Sequence, residues 1–135
     1  MTTPIDTIPN TRIGKSSIHG LGLFTETPLR PGQIIGILDG QAVRHADHPE
    51  IFEMEWNALS EEVLLVRSLP TKYRFMNHAP SPNCAIDVVD RTIRAVMNIE
   101  VGEELTLDYW AQPLPAAYLA LERTAFLRDA EGSDR

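Results

Sequence analysis

The apolar residues of this 135-residue chain come in short runs broken by turn residues, and that punctuation narrows the fold more than any other feature. Leu23-Phe24 and Ile34-Ile35-Gly36-Ile37-Leu38 are separated by His19-Gly20-Leu21-Gly22, Arg30-Pro31-Gly32 and Asp39-Gly40. Pro31 brings a fixed φ and Gly32 the positive φ that a type II turn needs before a strand. The β-branched runs at 62–66 and 85–89 read as strands, and the second, ending at Asp90-Arg91, is answered at 92–96, which predicts a hairpin. Phe52-Glu53-Met54-Glu55-Trp56 alternates apolar and acidic residues and predicts a half-buried strand, a short helix ending there being the alternative. Small β-sheets dominate this reading.

Residues 1–11 hold two prolines and no sustained periodicity, so a flexible tail is expected there, with the fold beginning near Arg12. Pro28-Leu29-Arg30-Pro31-Gly32-Gln33-Ile34-Ile35 is faintly echoed by Asn98-Ile99-Glu100-Val101-Gly102-Glu103-Glu104-Leu105, a repeated turn solution too short for a solenoid repeat. After Pro113 and Pro115, Ala117, Tyr118, Leu121 and Ala125 fall at helical spacing, with Arg123 and Arg128 toward the end, which predicts a helix over 116–128 within an extension at 111–128. A frayed tail is expected at 129–135.

Composition excludes several classes. No apolar run approaches the roughly 18 residues that a membrane-spanning helix needs. The opening residues have neither the basic nor the apolar region of a secretory signal, so the expected address is cytoplasmic. A single cysteine, Cys84, excludes an internal disulfide and a thiolate zinc cluster. The net charge of -7 argues against direct nucleic-acid binding and suits a basic protein or peptide partner. His45, Asp47, His48 and Glu50 offer ligand chemistry at a spacing that matches no strong metal motif; a solvated loop is expected and no metal is assigned.

Three segments carry residue types that strands and turns alone do not demand. They are His19-Gly20-Leu21-Gly22-Leu23-Phe24, Arg74-Phe75-Met76-Asn77-His78-Ala79-Pro80-Ser81-Pro82-Asn83-Cys84 and Gly102-Glu103-Glu104-Leu105-Thr106-Leu107-Asp108-Tyr109-Trp110. Paired glycines let backbone approach a ligand closely. Asn77 offers an amide and His78 a ring beside a proline-rich turn. In this order, the three segments resemble the glycine motif, the asparagine-histidine motif and the Glu-Leu-Thr-x-Asp-Tyr motif of the SET family of protein lysine methyltransferases. The resemblance covers roughly residues 12–110.

What the resemblance implies can be stated residue by residue. The fold would be mostly β, with several small curved sheets, a knot-like crossing near the C-terminus and a C-terminal helix. The cofactor would be S-adenosyl-L-methionine, held by His19, Gly20, Leu21, Gly22, Asn77 and His78, with Arg74, Tyr109 and Trp110 near it, and His78 acting largely through its backbone. Tyr109 would be the catalytic tyrosine, orienting a lysine amine whose solution pKa of about 10.4 must be overcome by desolvation and by the neighbouring sulfonium. Glu104 and Asp108 read as structural hydrogen-bond partners.

The chain departs from the family in three places. Ala79-Pro80 stands where many members have Ser-Cys, so the zinc-bearing element after the domain is missing and the 116–128 helix, with Trp110, becomes the candidate lid. Leu38-Asp39-Gly40 has leucine where tyrosine is common, and Trp56 is read as a core residue before a channel wall. Small bacterial and viral members share this stripped design and some dimerise to complete their sites, so a homodimer is compatible with it. A lysine-containing protein or peptide is the expected substrate; a non-catalytic peptide-binding module on the same fold is the alternative.

Overall fold

The expected turns at Gly20, Gly32 and Gly40 all carry a positive φ, which glycine adopts cheaply. The computed structural model describes residues 4–111. In it β1 (Thr11–Lys15) and β2 (Leu21–Thr25) pair antiparallel from Thr11 against Thr25 to Lys15 against Leu21. Gly20 in their connection has φ +48°, a conformation that costs a residue with a Cβ about 1 kcal/mol or more. β3 (Ile34–Ile37), β8 (Cys84–Asp87) and β9 (Thr92–Ala95) form an antiparallel sheet in the order β3-β9-β8. The β8–β9 hairpin is the one expected; Asp87 Oδ1 accepts the N–H groups of Val89 and Asp90 to shape its turn.

β4 (Gln41–Arg44), β5 (Glu55–Ala58) and β6 (Val63–Arg67) make a second three-stranded sheet with β6 in the middle. Being central, β6 buries both of its faces. Leu65 enters the main core with Leu23, Met76, Ile93 and Leu105, while Leu64 and Val66 face a smaller cluster with Ile51 and Ala58. Trp56 packs against that smaller cluster, edge-on to Phe52 at 5.7 Å. The strand expected over 52–56 is corrected: Pro49–Glu53 is a 3-10 helix and the strand begins at Glu55. Proline at the helix start and burial of Ile51 favour the turn, which closes when Met54 N–H donates to Ile51 O.

The two echoing segments are one turn built twice. Gly32 and Gly102 have φ of +85° and +91°. Gln33 N–H donates to Arg30 O at 3.0 Å and Glu103 N–H to Glu100 O at 3.1 Å. The side chains of Gln33 and Glu103 accept the N–H groups of Arg30 and Glu100, both at 3.1 Å. Leu29 and Ile99 exchange both backbone hydrogen bonds between the two turns. Each turn is also tied to the strand leading into the other, Gly32 N–H to Ala95 O and Gly102 N–H to Thr25 O.

Residues 5–10 are not the flexible tail expected of them. Ile8 is fully buried, Thr7 O accepts from Ile37 N–H, and Ile5 bridges Thr71. Gly36 makes room: a Cβ there would lie 2.8 Å from both Thr7 O and Ile8 Cγ1. Burying the Ile8 side chain contributes roughly 1.5–3 kcal/mol toward ordering this segment, alongside its backbone hydrogen bonds to Ile37 and Pro70. The helix expected over 116–128, and with it most of the 111–128 extension and the 129–135 tail, lies outside the described residues.

Candidate functional site

The 77–84 and 104–111 segments meet because β7 (Asn77–His78) pairs in parallel with β10 (Thr106–Leu107). Asn83 locks the pair: its Nδ2 donates to Glu104 O at 2.8 Å, and its Oδ1 accepts from Thr106 N–H at 2.9 Å. The β1–β2 hairpin closes over the same place. Leu105 N–H donates to Leu23 O, and Phe24 bridges Glu104. All three sequence segments therefore converge, although Asn77 and Glu104 are 27 positions apart and Ser16 and Glu104 are 88 apart.

Asn77 is the hub. Its Nδ2 lies 2.8 Å from Glu104 Oε2, 3.1 Å from both Ser16 Oγ and His19 O, and 3.2 Å from Leu21 O. Carbonyls and a carboxylate only accept, so the orientation of the amide is determined by its partners. Its Oδ1 accepts no hydrogen bond among the described residues. Ser16 Oγ donates to the Glu104 carboxylate at 2.7 and 2.9 Å and accepts the N–H of Ile18 at 2.9 Å, which folds the glycine turn back onto the carboxylate. Gly22 is required by this closeness, since a Cβ on it would fall 2.3 Å from Glu104 Oε2. Among the described residues, nothing stands within 4 Å of a Cβ on Gly20. The exposed ring of His19 takes no part here; its carbonyl does.

Tyr109 comes to the site from the other strand of the crossing. Its hydroxyl donates to Met76 O at 2.5 Å, one residue before Asn77. His78 holds the tyrosine from below, its Nδ1 accepting Tyr109 N–H at 3.0 Å with the rings 5.2 Å apart. Asp108 Oδ1 approaches the same nitrogen at 3.8 Å. Nδ1 of His78 thus helps position Tyr109.

Among the described residues, no hydrogen bond joins Arg74, His45 or His48 to this hub. Arg74 is exposed on the 3-10 helix Lys72–Phe75 and lines a shallow hollow with Glu53, Glu55 and Leu69. Trp110 lies in the short 3-10 turn Tyr109–Ala111. His45 Nε2 sits 2.7 Å from Glu61 O with its ring against Phe52, and His48 faces Glu50 at 3.4 Å on the surface. Burial pushes the Cys84 thiol up to about 12, so it is no nucleophile at neutral pH.

Ser16 and the Met76 carbonyl complete the site. Ser16 carries a usable signal, because a serine that precedes a glycine turn by a few residues commonly caps it. Met76 contributes a carbonyl, for which no side-chain pattern exists. Together the hub presents oxygen acceptors, Asn77 Oδ1 and the His19 and Leu21 carbonyls, with the Glu104 carboxylate behind Asn77. No cationic side chain pairs with Glu104 among the described residues. Such a set suits a ligand bearing an ammonium group.

Comparison with known proteins agrees with this geometry. The family model described as SET domain matches residues 20–110. The chain is 30% identical over 115 residues to the histone-lysine N-methyltransferase EZ1 of Zea mays, covering 75% of this chain and 12% of that protein. It is 30% identical over 115 residues to the histone-lysine N-methyltransferase MEDEA of Arabidopsis thaliana, covering 75% and 17%. A histone-lysine N-methyltransferase of Aspergillus fumigatus, H3 lysine-36 specific, is 30% identical over 147 residues, covering 93% and 15%. The chain thus spans less than a fifth of the length of these relatives.

Proposed function

The chain belongs to the SET domain family, and we propose that it is an S-adenosyl-L-methionine-dependent protein lysine N-methyltransferase. One observation carries the reading: the crossing sets the Tyr109 hydroxyl on Met76 O, directly beside Asn77 and its acceptor-rich hub. A cofactor pole and a tyrosine pole therefore share one dipeptide.

Asn77 Oδ1 and the His19 and Leu21 carbonyls would hold the ammonium of the cofactor's methionine part. When bound, S-adenosyl-L-methionine supplies an electrophilic methyl group on a cationic sulfonium. Tyr109 and Met76 O supply orientation for the incoming amine, which must be neutral and aligned to attack. The half-buried setting of Tyr109 disfavours the charged amine and so helps it lose its proton. No side chain needs to act as the base, since water can take that proton, and Nδ1 of His78 helps position Tyr109.

The substrate class follows from charge and family: a lysine-bearing protein or peptide of basic character, attracted by a chain of net charge -7. The relatives named above are histone-lysine methyltransferases, which makes histone-like basic tails the first substrates to try. The test is incubation with S-adenosyl-L-methionine and a panel of basic proteins, read by mass spectrometry. Methylated lysine that disappears in Tyr109→Phe supports the reading. Peptide binding that is indifferent to the cofactor, without turnover, supports the non-catalytic module instead.

A further inference from the structure

Glu104 is a carboxylate in an unusual position. It lies next to the β1–β2 hairpin, its oxygens accept from Ser16 Oγ and Asn77 Nδ2, and no cationic side chain pairs with it among the described residues. Glycine at position 22 is the cost of bringing it so close, because any Cβ there would collide with Oε2. A carboxylate held at such close quarters by Ser16 and Asn77 needs a reason beyond filling space.

We infer that Glu104 is a positioning residue for cofactor binding, acting through the amide of Asn77; the inference rests on the methyltransferase reading above. The amide has two orientations of nearly equal shape. In the one observed, Nδ2 faces Glu104 Oε2 at 2.8 Å and the carbonyls of His19 and Leu21 at 3.1 and 3.2 Å. Flipping it would set Oδ1 against three groups that can only accept, one of them charged. The Glu104 carboxylate therefore forces Nδ2 inward and presents Oδ1 to the ligand. Ser16 keeps the carboxylate in place by donating to both of its oxygens. An ammonium donates only, so it binds the observed orientation and is repelled by the flipped one.

Glutamine at 104 weakens this selection, since its own amide nitrogen can donate to a flipped Asn77 while the His19 and Leu21 carbonyls still disfavour the flip. Glu104→Gln is therefore expected to weaken S-adenosyl-L-methionine binding about 10-fold, the usual scale for losing a hydrogen bond to a charged group. Turnover at saturating cofactor should change less than about 3-fold, because Tyr109 and Met76 are untouched. A merely structural role would lower both, together with the melting temperature.

The deciding experiment is a double-mutant cycle on cofactor affinity, by calorimetry with the full chain, over wild type, Glu104→Gln, Asn77→Ala and the double variant. Action through Asn77 predicts that Glu104→Gln has no further effect once Asn77 is alanine. Equal losses in both backgrounds would overturn the inference, since the carboxylate would then act on the ligand directly. Ser16→Ala gives the same test by a milder route, with a smaller loss in the wild-type background and none in Asn77→Ala, so that poor folding of Glu104→Gln does not decide the matter. Wild-type binding that Glu104→Gln and Ser16→Ala leave unchanged overturns this inference alone. A wild-type chain that does not bind S-adenosyl-L-methionine overturns both it and the reading beneath it.

Discussion

The hydroxyl of Tyr109 donates to the backbone carbonyl of Met76 at 2.5 Å, across 33 positions of sequence. Asn77 follows Met76 directly, so this bond ties the tyrosine to the residue at the centre of the hub. Tyr109→Phe keeps the ring, its contact with His78 and its burial, and removes only the oxygen. Turnover should fall on the order of 100-fold, the scale for losing one positioned polar group in a transition state. Cofactor affinity should stay within about 3-fold, and the loss of one hydrogen bond should cost about 1 kcal/mol of stability. Steady-state kinetics and calorimetry on the same preparations separate these effects.

Gly20 and Gly22 should respond differently to the same change. Gly22→Ala drives a methyl group into Glu104 Oε2, displacing the carboxylate that orders Asn77, and cofactor affinity should drop more than about 10-fold. Gly20→Ala meets no atom within 4 Å and strains only its φ of +48°, so it should cost about 1 kcal/mol of stability. Gly20→Asn should cost less, because asparagine tolerates that backbone region. Thermal melts and cofactor titrations of the three variants check the contrast.

Ile8 should behave as a core residue despite its place near the N-terminus. It is fully buried against Gly36 and the main cluster, so Ile8→Ala should destabilise by about 2–5 kcal/mol. Chemical denaturation measures this. A flexible tail would give a change below about 0.5 kcal/mol.

Cys84 should make the fold sensitive to alkali. Burial raises its thiol from 9.0 to about 12, so between those values the folded state holds a proton that the unfolded state has released. Stability is then complete below the unfolded value and falls as pH rises through the window, by up to about 1.4 kcal/mol per pH unit. Denaturation of wild type and Cys84→Ala on both sides of the unfolded value should show this extra slope in wild type alone. The folded thiol should also react slowly with a disulfide reagent at neutral pH.

Local features were legible in the sequence and distant ones were not. The Gly20 and Gly32 turns, the 85–96 hairpin with its Asp87 side chain, and the repeated turn at 28–35 and 98–105 depend on neighbours within a few residues, where turn chemistry decides. Pairing of those two repeated turns through Leu29 and Ile99 depends on topology, and no local pattern announces it. Ile5 and Ile8 were passed over because two apolar residues among prolines and threonines show no period, yet Gly36 opens a place for one of them. Asn77 and Tyr109 stood out through their motifs, while Ser16, Glu104 and the Met76 carbonyl acquire their roles only when segments up to 88 positions apart close on one another. Phe52-Glu53-Met54-Glu55-Trp56 alternates as a strand should, and Pro49 and Ile51 turn its first half into a 3-10 helix.

The central claim is that the Asn77 hub and Tyr109 form one methyl-transferring site, and a single-turnover assay tests it most directly. Purified chain is mixed with S-adenosyl-L-methionine and a basic lysine peptide, and peptide mass is followed with time beside Asn77→Ala and Tyr109→Phe. The account predicts methyl-sized mass increments on lysine in wild type, recovered in Asn77→Ala only at higher cofactor concentration and slowed in Tyr109→Phe at every cofactor concentration. Increments that persist unchanged in both variants, or their absence in a wild-type chain that fails to bind the cofactor, would contradict it.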